Sequence, residues 1–212
     1  MAHGDLIILN GTSSGGKSTT IKALQALLEK PYMHSGPDHF LHAYHPKLFI
    51  WRDGDQPMAF DGWLITVQDS KMVDAEIGSG GRQILTGVYQ AIATLVAAGV
   101  NVIVEDVLWD KEVLQTAVSI LHPYNPLFVG LRCSLATAER REVERGDRFP
   151  GGATTFFDRV HAHTVYDLEI DTEQHSAEAC AEMIKAAVEN GRLRTALKQL
   201  NTSYFAANKD NL

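Results

Sequence analysis

The sequence predicts an α/β fold, in which helices cover both faces of a mainly parallel sheet. Short apolar segments, such as residues 6–9 and 102–104, alternate along the chain with longer segments of helical periodicity. Each apolar segment is hydrophobic at consecutive positions, which is typical of a parallel strand buried on both faces. The chain has 212 residues, which is enough for one domain with a buried core and short for two. We therefore expect a single domain over residues 1–212.

The predicted elements follow one another in a regular order and have recognisable ends. Strands are expected at 6–9, 32–35, 63–68, 101–107, 127–133 and 168–171, and helices at 17–29, 39–44, 81–98, 110–121, 134–145 and 176–190. Ser134 and Ser176 are candidate N-caps, and Gly99 is placed where a left-handed glycine commonly ends a helix. The tail from Arg192 onward is expected to add one more helix.

Residues 46–80 are punctuated by glycine and proline and show no clear periodicity. Long irregular segments in compact domains are often functional, so we interpret this one as an insertion beside a substrate pocket. A surface excursion without a ligand role is the alternative. If the pocket is apolar, Trp51, Phe60 and Trp63 are the residues expected to line it.

The acidic composition of the chain disfavours polyanionic partners. The formal net charge is −7 and the isoelectric point is near 5.7, which argues against nucleic acid or an anionic membrane as the partner. No apolar segment approaches the ~20 residues that span a bilayer, and the N-terminus lacks the pattern of a signal peptide. We therefore expect a cytoplasmic protein with free thiols at Cys133 and Cys180. Whether it forms a homo-oligomer is left open.

The most specific motif runs from Gly11 to Ser18 and matches G-x-x-x-x-G-K-[ST]. It follows a predicted buried strand and opens a predicted helix, which is the context that a P-loop requires. Its backbone N–H groups would cradle the phosphates of ATP, Lys17 would reach the β- and γ-phosphates, and Ser18 would bind Mg²⁺. A chance glycine-rich turn is the alternative. The predicted nucleotide-binding residues are Gly11, Thr12, Ser13, Ser14, Gly15, Gly16, Lys17, Ser18 and Thr19.

An apolar strand that ends in Glu105 and Asp106 resembles a Walker B element, whose acid helps to hold the metal. Two consecutive acids on a strand point to opposite faces, so only one of them faces the P-loop. We assign Asp106, together with Ser18, to the metal ion. The alternatives are that Asp106 faces the acceptor pocket, or that both acids are simply solvated.

A cluster of arginines follows in the predicted helix at 134–145. Arg141 and Arg145 are four residues apart and share a helix face, and Arg148 follows within reach of the same ligand. Guanidinium groups stabilise the charge on a transferring phosphoryl group. The glycine pair 151–152 is a candidate hinge for a lid-like segment around 141–160. The alternative is a solvated helix whose arginines pair with its own glutamates.

Asp38 comes just after the second predicted strand, at the edge of the sheet where open α/β folds bind ligands. There it could accept the proton of a hydroxyl that attacks the γ-phosphate. Taken alone, Asp38 also suits a helix N-cap. A transition-metal site is a further alternative for the neighbouring histidines. They are His34, His39, His42 and His45.

These segments together resemble the chloramphenicol phosphotransferase family of small P-loop kinases, over roughly residues 6–190. The most specific stretches are 145–148, with the sequence Arg-Gly-Asp-Arg, and 165–167, with Val-Tyr-Asp. The other matching positions are Ile7 to Gly11, Ser13, Ser14, Gly16 to Ser18, Gly36, Asp38, Ala98, Gly99, Val102 to Val104, Asp106, Val107, Val129, Gly130, Arg132, Cys133, Arg141, Glu142, His161, Asp171 and Thr172.

The resemblance implies a P-loop NTPase fold of the nucleotide-kinase type, with a five-stranded parallel sheet flanked by helices. It implies ATP-dependent phosphorylation of a hydroxyl on a small molecule, in the type enzyme an antibiotic. It also implies that Asp38 is the general base and that Arg141, Arg145 and Arg148 line the lid side of the phosphates. Residues 40–80 match poorly, so the acceptor is the least predictable part.

We therefore predict an ATP- and Mg²⁺-dependent O-phosphotransferase whose partner is a small-molecule hydroxyl acceptor. The acceptor would be an antibiotic such as chloramphenicol, or a metabolite such as a sugar or nucleoside. A regulatory NTPase with water as the acceptor, and a nucleotide-binding module without catalysis, are the alternatives from other classes.

Overall fold

The computed structural model describes residues 3–54, 57–147 and 149–206, and its centre is a five-stranded parallel sheet. The strands are β1 (Leu6–Asn10), β2 (Met33–Ser35), β6 (Val102–Asp106), β7 (Leu127–Arg132) and β8 (Leu168–Asp171). Their order is β2-β6-β1-β7-β8, and every neighbouring pair is parallel. The predicted α/β fold with a five-stranded parallel sheet is confirmed.

Helices cover both faces of this sheet and create two hydrophobic clusters. The helices are α1 (Lys17–Leu27), α2 (Pro37–Leu41), α3 (Ser79–Ala97), α4 (Lys111–Leu121), α5 (Leu135–Arg145), α6 (Gly152–Phe157), α7 (Ala177–Glu189) and α8 (Ala196–Ala206). Leu6 and Ile8 of β1 pack in the cluster with α3, α4 and α8. Ile7 and Leu9 pack in the cluster with α1 and α7. Because each buried aliphatic side chain contributes roughly 1.5–3 kcal/mol, β1 must be apolar at consecutive positions.

The predicted capping residues agree with the structure except at one position, whereas the helix predicted at 39–44 lies at Pro37–Leu41. Ser134 accepts a hydrogen bond from the backbone N–H of Thr137, Ser176 caps α7 in the same way, and Gly99 is left-handed with φ 91°. Asp38, however, is the second residue of α2, and Gly36 occupies the N-cap position. The N-cap interpretation of Asp38 is therefore wrong, because Pro37 already starts the helix.

Residues 46–80 contain a second sheet, which corrects the expectation of an irregular segment with one short strand. After a 3₁₀ turn at Pro46–Leu48 come β3 (Phe49–Asp53), β4 (Trp63–Gln68) and β5 (Lys71–Ile77). The central strand β4 pairs parallel with β3 and antiparallel with β5. The outer strands are only partly buried, so they lack the continuous apolar runs that mark the strands of the large sheet.

The segment after α5 is attached to α5 and to the small sheet. The Glu142 carboxylate accepts the backbone N–H groups of Gly151 and Ala153, at 2.8 Å each. The backbone N–H of Met72 on β5 donates to the carbonyl of Pro150 at 2.8 Å. Gly151 has φ 101°, and a Cβ there would lie 2.3 Å from the Met72 carbonyl oxygen. Gly151 thus lies in tight contact with β5.

The C-terminal tail forms α8, whose Ala196, Leu197 and Leu200 complete one of the hydrophobic clusters. Before this helix, the Arg194 guanidinium forms an ion pair with Asp5, next to the start of β1. Within the described ranges no helix is long and apolar enough to cross a bilayer.

Candidate active site

The P-loop connects β1 to α1, and two of its glycines are required by its conformation. Gly16 immediately precedes the helix with φ 92°, a left-handed conformation that only glycine adopts at little strain. A Cβ on Gly11 would lie 2.7 Å from the carbonyl oxygen of Leu131, so the loop can pass close to β7 only as glycine. The resulting ring of N–H groups lies at the positive end of the α1 dipole, as anion binding requires.

Lys17 is folded over the P-loop and is nearly inaccessible, with 5% of its surface exposed. Its ammonium donates hydrogen bonds to the carbonyl oxygens of Gly11 and Thr12, at 2.8 Å each. An ammonium held above a ring of N–H groups adds a full positive charge to their partial charges. This concentrates positive potential at the mouth of the loop despite the acidic composition of the chain.

The acid that contacts Ser18 is Glu105, not Asp106. The Ser18 hydroxyl donates to one Glu105 oxygen at 2.7 Å, and the His34 ring bonds to the other at 3.0 Å. Burial alone would raise the pKa of Glu105, but the His34 hydrogen bond, the Lys17 charge and the Ser18 hydrogen bond lower it to about 2. The sequence therefore predicted a carboxylate beside Ser18, and the structure has Glu105 rather than Asp106 at that position; the assignment of Asp106 to the metal ion stays a prediction.

Asp106 lies on the opposite face of β6. It accepts hydrogen bonds from the Tyr89 hydroxyl and from the backbone N–H of Val107, at 2.8 Å each. Burial raises the pKa of Asp106 to about 7; the two hydrogen bonds oppose this rise, and the charge of Asp38 adds to it. Strand alternation correctly predicted that the two acids diverge, and the structure shows that Asp106 is the one facing away from Ser18.

The arginines of α5 reach the P-loop side of the molecule. Arg141 donates to the Thr172 hydroxyl at 2.9 Å and to the Thr172 carbonyl at 2.7 Å. The same hydroxyl contacts the carbonyl oxygen of Gly15 at 3.1 Å, which attaches Arg141 to the loop. Arg145 forms an ion pair with Asp147 at 2.7 Å. The third predicted arginine, Arg148, lies outside the described residues.

The histidines make other contacts than those of a transition-metal site. His34 bonds to Glu105 and packs edge-on against His39, with ring centroids 4.7 Å apart. Across the described part of the chain, no group of three or more His, Cys, Asp or Glu side chains could hold a metal ion by itself. Both cysteines are free, as expected.

Two cavities meet at the end of the P-loop. A polar cleft of about 750 Å³ is lined by residues 14–20 and by Arg141 and Arg145. A mainly apolar pocket of about 270 Å³ lies under the small sheet and contains Asp38. Lys17 and Glu105 line both cavities. Any ligands of the cleft and of the pocket would therefore approach each other at these two side chains.

The apolar pocket is lined by side chains from segments far apart in the sequence. Its aromatic members are Phe49, Trp63, Tyr89, Trp109 and Phe156. Three aromatic residues were predicted to line this pocket, and among the residues that the structure describes only Trp63 does. Trp51 is 49% exposed and packs against Phe149 instead, and Phe60 lies outside the lining. The prediction failed for these two because it assumed that the whole segment faces the pocket.

A buried polar network supports the end of β1. The Asn10 amide donates to the Val160 carbonyl at 2.8 Å and to the Tyr166 hydroxyl at 2.7 Å, and its oxygen accepts the N–H of Leu108. Tyr166 in turn bonds to Nδ1 of His161 at 2.7 Å. Burial is the main cause that lowers the pKa of His161 to about 4, so this ring is neutral near pH 7.

The profile of the family described as chloramphenicol phosphotransferase-like protein matches residues 4–189. The chain belongs to this family. Relatives in two strains of Mycobacterium tuberculosis are 34% identical to this chain over 184 residues. Both are named as O-phosphotransferases by inference. That alignment covers 81% of this chain and 76% of theirs.

Solved structures of kinases share the fold of this chain. A sugar kinase of Janibacter sp. has a TM-score of 0.59 at 13% identity, covering 88% of this chain and 95% of that chain. The APS kinase of Mycobacterium tuberculosis, in complex with AMPPNP and APS, has a TM-score of 0.58 at 16% identity, covering 89% and 99%. At these identities the likeness shows the fold, which is that of P-loop kinases. Family and fold together indicate a kinase-like phosphotransferase.

Proposed function

We propose that this protein is an ATP-dependent O-phosphotransferase that transfers the γ-phosphoryl group to a hydroxyl of a small molecule held in the apolar pocket. The observation that carries the proposal is the meeting of the two cavities. Lys17 and Glu105 line both of them, and Asp38 lies in the pocket. Phosphoryl transfer requires this arrangement, because the donor and acceptor oxygens must approach in line with little water between them.

On the nucleotide side, the chain offers donors that match a triphosphate. The N–H groups of the P-loop would surround the β-phosphate, and Lys17 would exchange its two carbonyl partners for phosphate oxygens. Arg141 and Arg145 line the same cleft and would stabilise the charge that spreads over the γ-phosphoryl oxygens. We keep Arg148 in this group as a prediction.

The contact between Ser18 and Glu105 fits a hard divalent cation. One hydroxyl and one carboxylate meet at 2.7 Å, and the low pKa of Glu105 keeps that carboxylate ionised. Mg²⁺ prefers such oxygen ligands, supplemented by water and phosphate. When bound there, Mg²⁺ would neutralise part of the charge of the phosphates. Ser18 and Glu105 are thus the proposed protein ligands.

On the acceptor side, Asp38 would orient the hydroxyl and accept its proton as the oxygen attacks phosphorus. The aromatic and aliphatic lining would displace water from the pocket, which favours transfer to a bound alcohol over hydrolysis. An apolar lining also suits an amphipathic acceptor, such as an antibiotic of the chloramphenicol type, better than a sugar. These features together support a kinase over a regulatory NTPase.

The test is ADP release measured against a panel of antibiotics, sugars and nucleosides. Asp38→Asn should lower phosphoryl transfer at least ~10²-fold and leave ATP affinity within about 2-fold, since it removes a base and keeps the shape. Asp53→Asn, which changes an exposed acid on β3, is the matched control and should keep full activity.

Two outcomes would count against the proposal. If Asp38→Asn transfers phosphate at the wild-type rate, Asp38 is not the base. If no compound of the panel raises ADP release above the rate in its absence, the kinase hypothesis itself fails and the NTPase alternative gains support.

A further inference from the structure

The apolar pocket contains a second carboxylate that the proposed reaction does not use. Asp106 lines the pocket together with Asp38 and is only 7% exposed. A buried carboxylate is unfavourable unless hydrogen bonds or counter-charges compensate it. Its position inside a cavity, rather than in the packed core, leaves part of that compensation to a bound molecule.

The hydrogen bonds of Asp106 leave acceptor capacity toward the pocket. Each oxygen accepts one bond, from the Tyr89 hydroxyl and from the Val107 N–H, whereas a carboxylate has about four acceptor sites. Asp110 lines the same pocket but is differently occupied. It accepts hydrogen bonds from both terminal nitrogens of Arg82 and from two backbone N–H groups at the start of α4. Its hydrogen-bond acceptor capacity is therefore used within the protein.

Tyr89 fixes the direction in which Asp106 points. The tyrosine is 1% exposed and fully packed on α3, and its hydroxyl bonds to Asp106 at 2.8 Å. A rigid aromatic side chain that bonds to one oxygen holds the carboxylate in one orientation. The remaining acceptor sites are thus presented at a constant position relative to Asp38.

We propose that Asp106, oriented by Tyr89, selects acceptors that carry a second hydrogen-bond donor, such as another hydroxyl or an amide N–H, beside the hydroxyl that is phosphorylated. This inference rests on the proposed function, because it names the class of acceptor for the same pocket. Asp106 is a specificity residue in this scheme, and Tyr89 is a positioning residue that acts through it.

The charges around the pocket extend the inference to the charge of the acceptor. Its lining includes the acids Asp38, Glu105, Asp106 and Asp110, and Lys17 is its basic member among the described lining residues. Lys17 is assigned to the phosphates, and Asp110 is neutralised by Arg82 at 2.6 Å. An acceptor bearing a carboxylate or phosphate would therefore be repelled, and an uncharged amphipathic alcohol is favoured.

Two matched probes test the selection: 1-phenylethane-1,2-diol and 2-phenylethanol. Both carry a primary hydroxyl and a phenyl ring, and only the diol has a second donor. Binding is measured by tryptophan fluorescence with a non-hydrolysable ATP analogue and Mg²⁺ present, because Trp63 and Trp109 line the pocket. The exposed Trp51 is replaced by Phe in every protein compared, which removes its background signal. Transfer from ATP is measured on the same probes.

We expect the otherwise wild-type protein to bind the diol about 10-fold more tightly than the mono-alcohol, as one additional buried hydrogen bond would give. Asp106→Asn keeps the shape and removes the charge and one acceptor oxygen, so it should abolish most of this preference. ATP affinity and the Mg²⁺ requirement should stay within about 2-fold. Tyr89→Phe should reduce the preference in part. The double variant Asp106→Leu/Tyr89→Phe, which leaves no orphaned hydroxyl, should abolish it even if Asp106→Asn folds poorly.

Different results would contradict the role of Asp106 and the proposed phosphoryl transfer. Equal affinity for both probes, no binding of either, or an Asp106→Asn variant that keeps the preference and needs more Mg²⁺ would overturn the role of Asp106. In the last case Asp106 would belong to the metal site. A diol preference that depends on Asp106, without phosphoryl transfer to any alcohol, would instead overturn the proposed reaction and leave the selection intact.

Discussion

The polar cleft and the apolar pocket lie on either side of Lys17 and Glu105, yet they are built in different ways. The base of the cleft is one continuous segment, residues 14–20, whose backbone N–H groups would bind the phosphates, and α5, residues 172–180 and Glu105 contribute most of the rest of its lining. The pocket is assembled from β4, α3, α6 and the loop after β6, and its surface consists mainly of side chains. A local backbone motif therefore determines the base of the first region, whereas long-range packing determines the whole of the second.

The largest expected effect separates the two regions at Lys17. Lys17→Met keeps the length of the side chain and removes its charge, so phosphoryl transfer should fall about 10³-fold, as for loss of a strong oxyanion donor. ATP affinity should also fall, whereas binding of an alcohol in the pocket, measured by tryptophan fluorescence, should change less than about 3-fold.

Lys30→Met, at an exposed position after α1, is the control for loss of a positive charge and should behave like the wild type. If Lys17→Met weakened alcohol binding as much as ATP binding, the cleft and the pocket would not be separable regions.

This difference explains how much of the fold could be predicted. The strand β1 was evident because Leu6 and Ile7 face two different hydrophobic clusters, which demands consecutive apolar residues. The strands β3 and β5 each leave one face partly exposed; Trp51 and Val73 are 49% and 48% exposed. Their apolar residues are mixed with charged ones, so no periodicity marked them before their partners in the small sheet were known.

The same difference applies to the candidate site. The P-loop and Arg141 could be predicted because a local motif and helical spacing place them. The roles of Glu105 and Asp106 depend on the register of β6, which pairs Leu9 with Glu105 and Asn10 with Asp106. Strand alternation shows that the two acids diverge, but not which of them faces Ser18.

The second expected effect concerns Gly151, where the segment after α5 joins the small sheet. At Gly151, φ is 101° and a Cβ would lie 2.3 Å from the Met72 carbonyl oxygen. Gly151→Ala should therefore lower the free energy of unfolding by about 3 kcal/mol, from backbone strain and overpacking together. Chemical denaturation followed by circular dichroism measures it.

Gly191→Ala isolates the contact from the strain. Gly191 also has a positive φ, of 64°, but nothing lies within 4 Å of its Cβ position. Gly191→Ala should therefore lower the free energy of unfolding by only about 1–2 kcal/mol. Equal losses at the two glycines would mean that the contact with β5 does not hold the segment in place.

The smallest expected effect is a pH dependence of stability that originates at His161, in the network under the P-loop. Burial lowers the pKa of His161 in the folded protein to about 4, from an ordinary value of 6.5. Between these values the unfolded chain binds a proton that the folded chain does not, so acidification favours unfolding. This contribution to stability is complete above pH 6.5 and is lost progressively as the pH falls to about 4.

The variant His161→Asn separates this contribution from the others, because the amide oxygen can still accept the Tyr166 hydroxyl but does not titrate. A difference measurement is needed, since burial raises the pKa of Asp106 to about 7 and its contribution therefore has the opposite sign in the same range. Relative to its own stability at pH 8, the variant should lose less on acidification to pH 4.5 than the wild type. Parallel stability curves for the two proteins would show that His161 is protonated as readily in the folded chain as in the unfolded one, and that the network under the P-loop tolerates the charge.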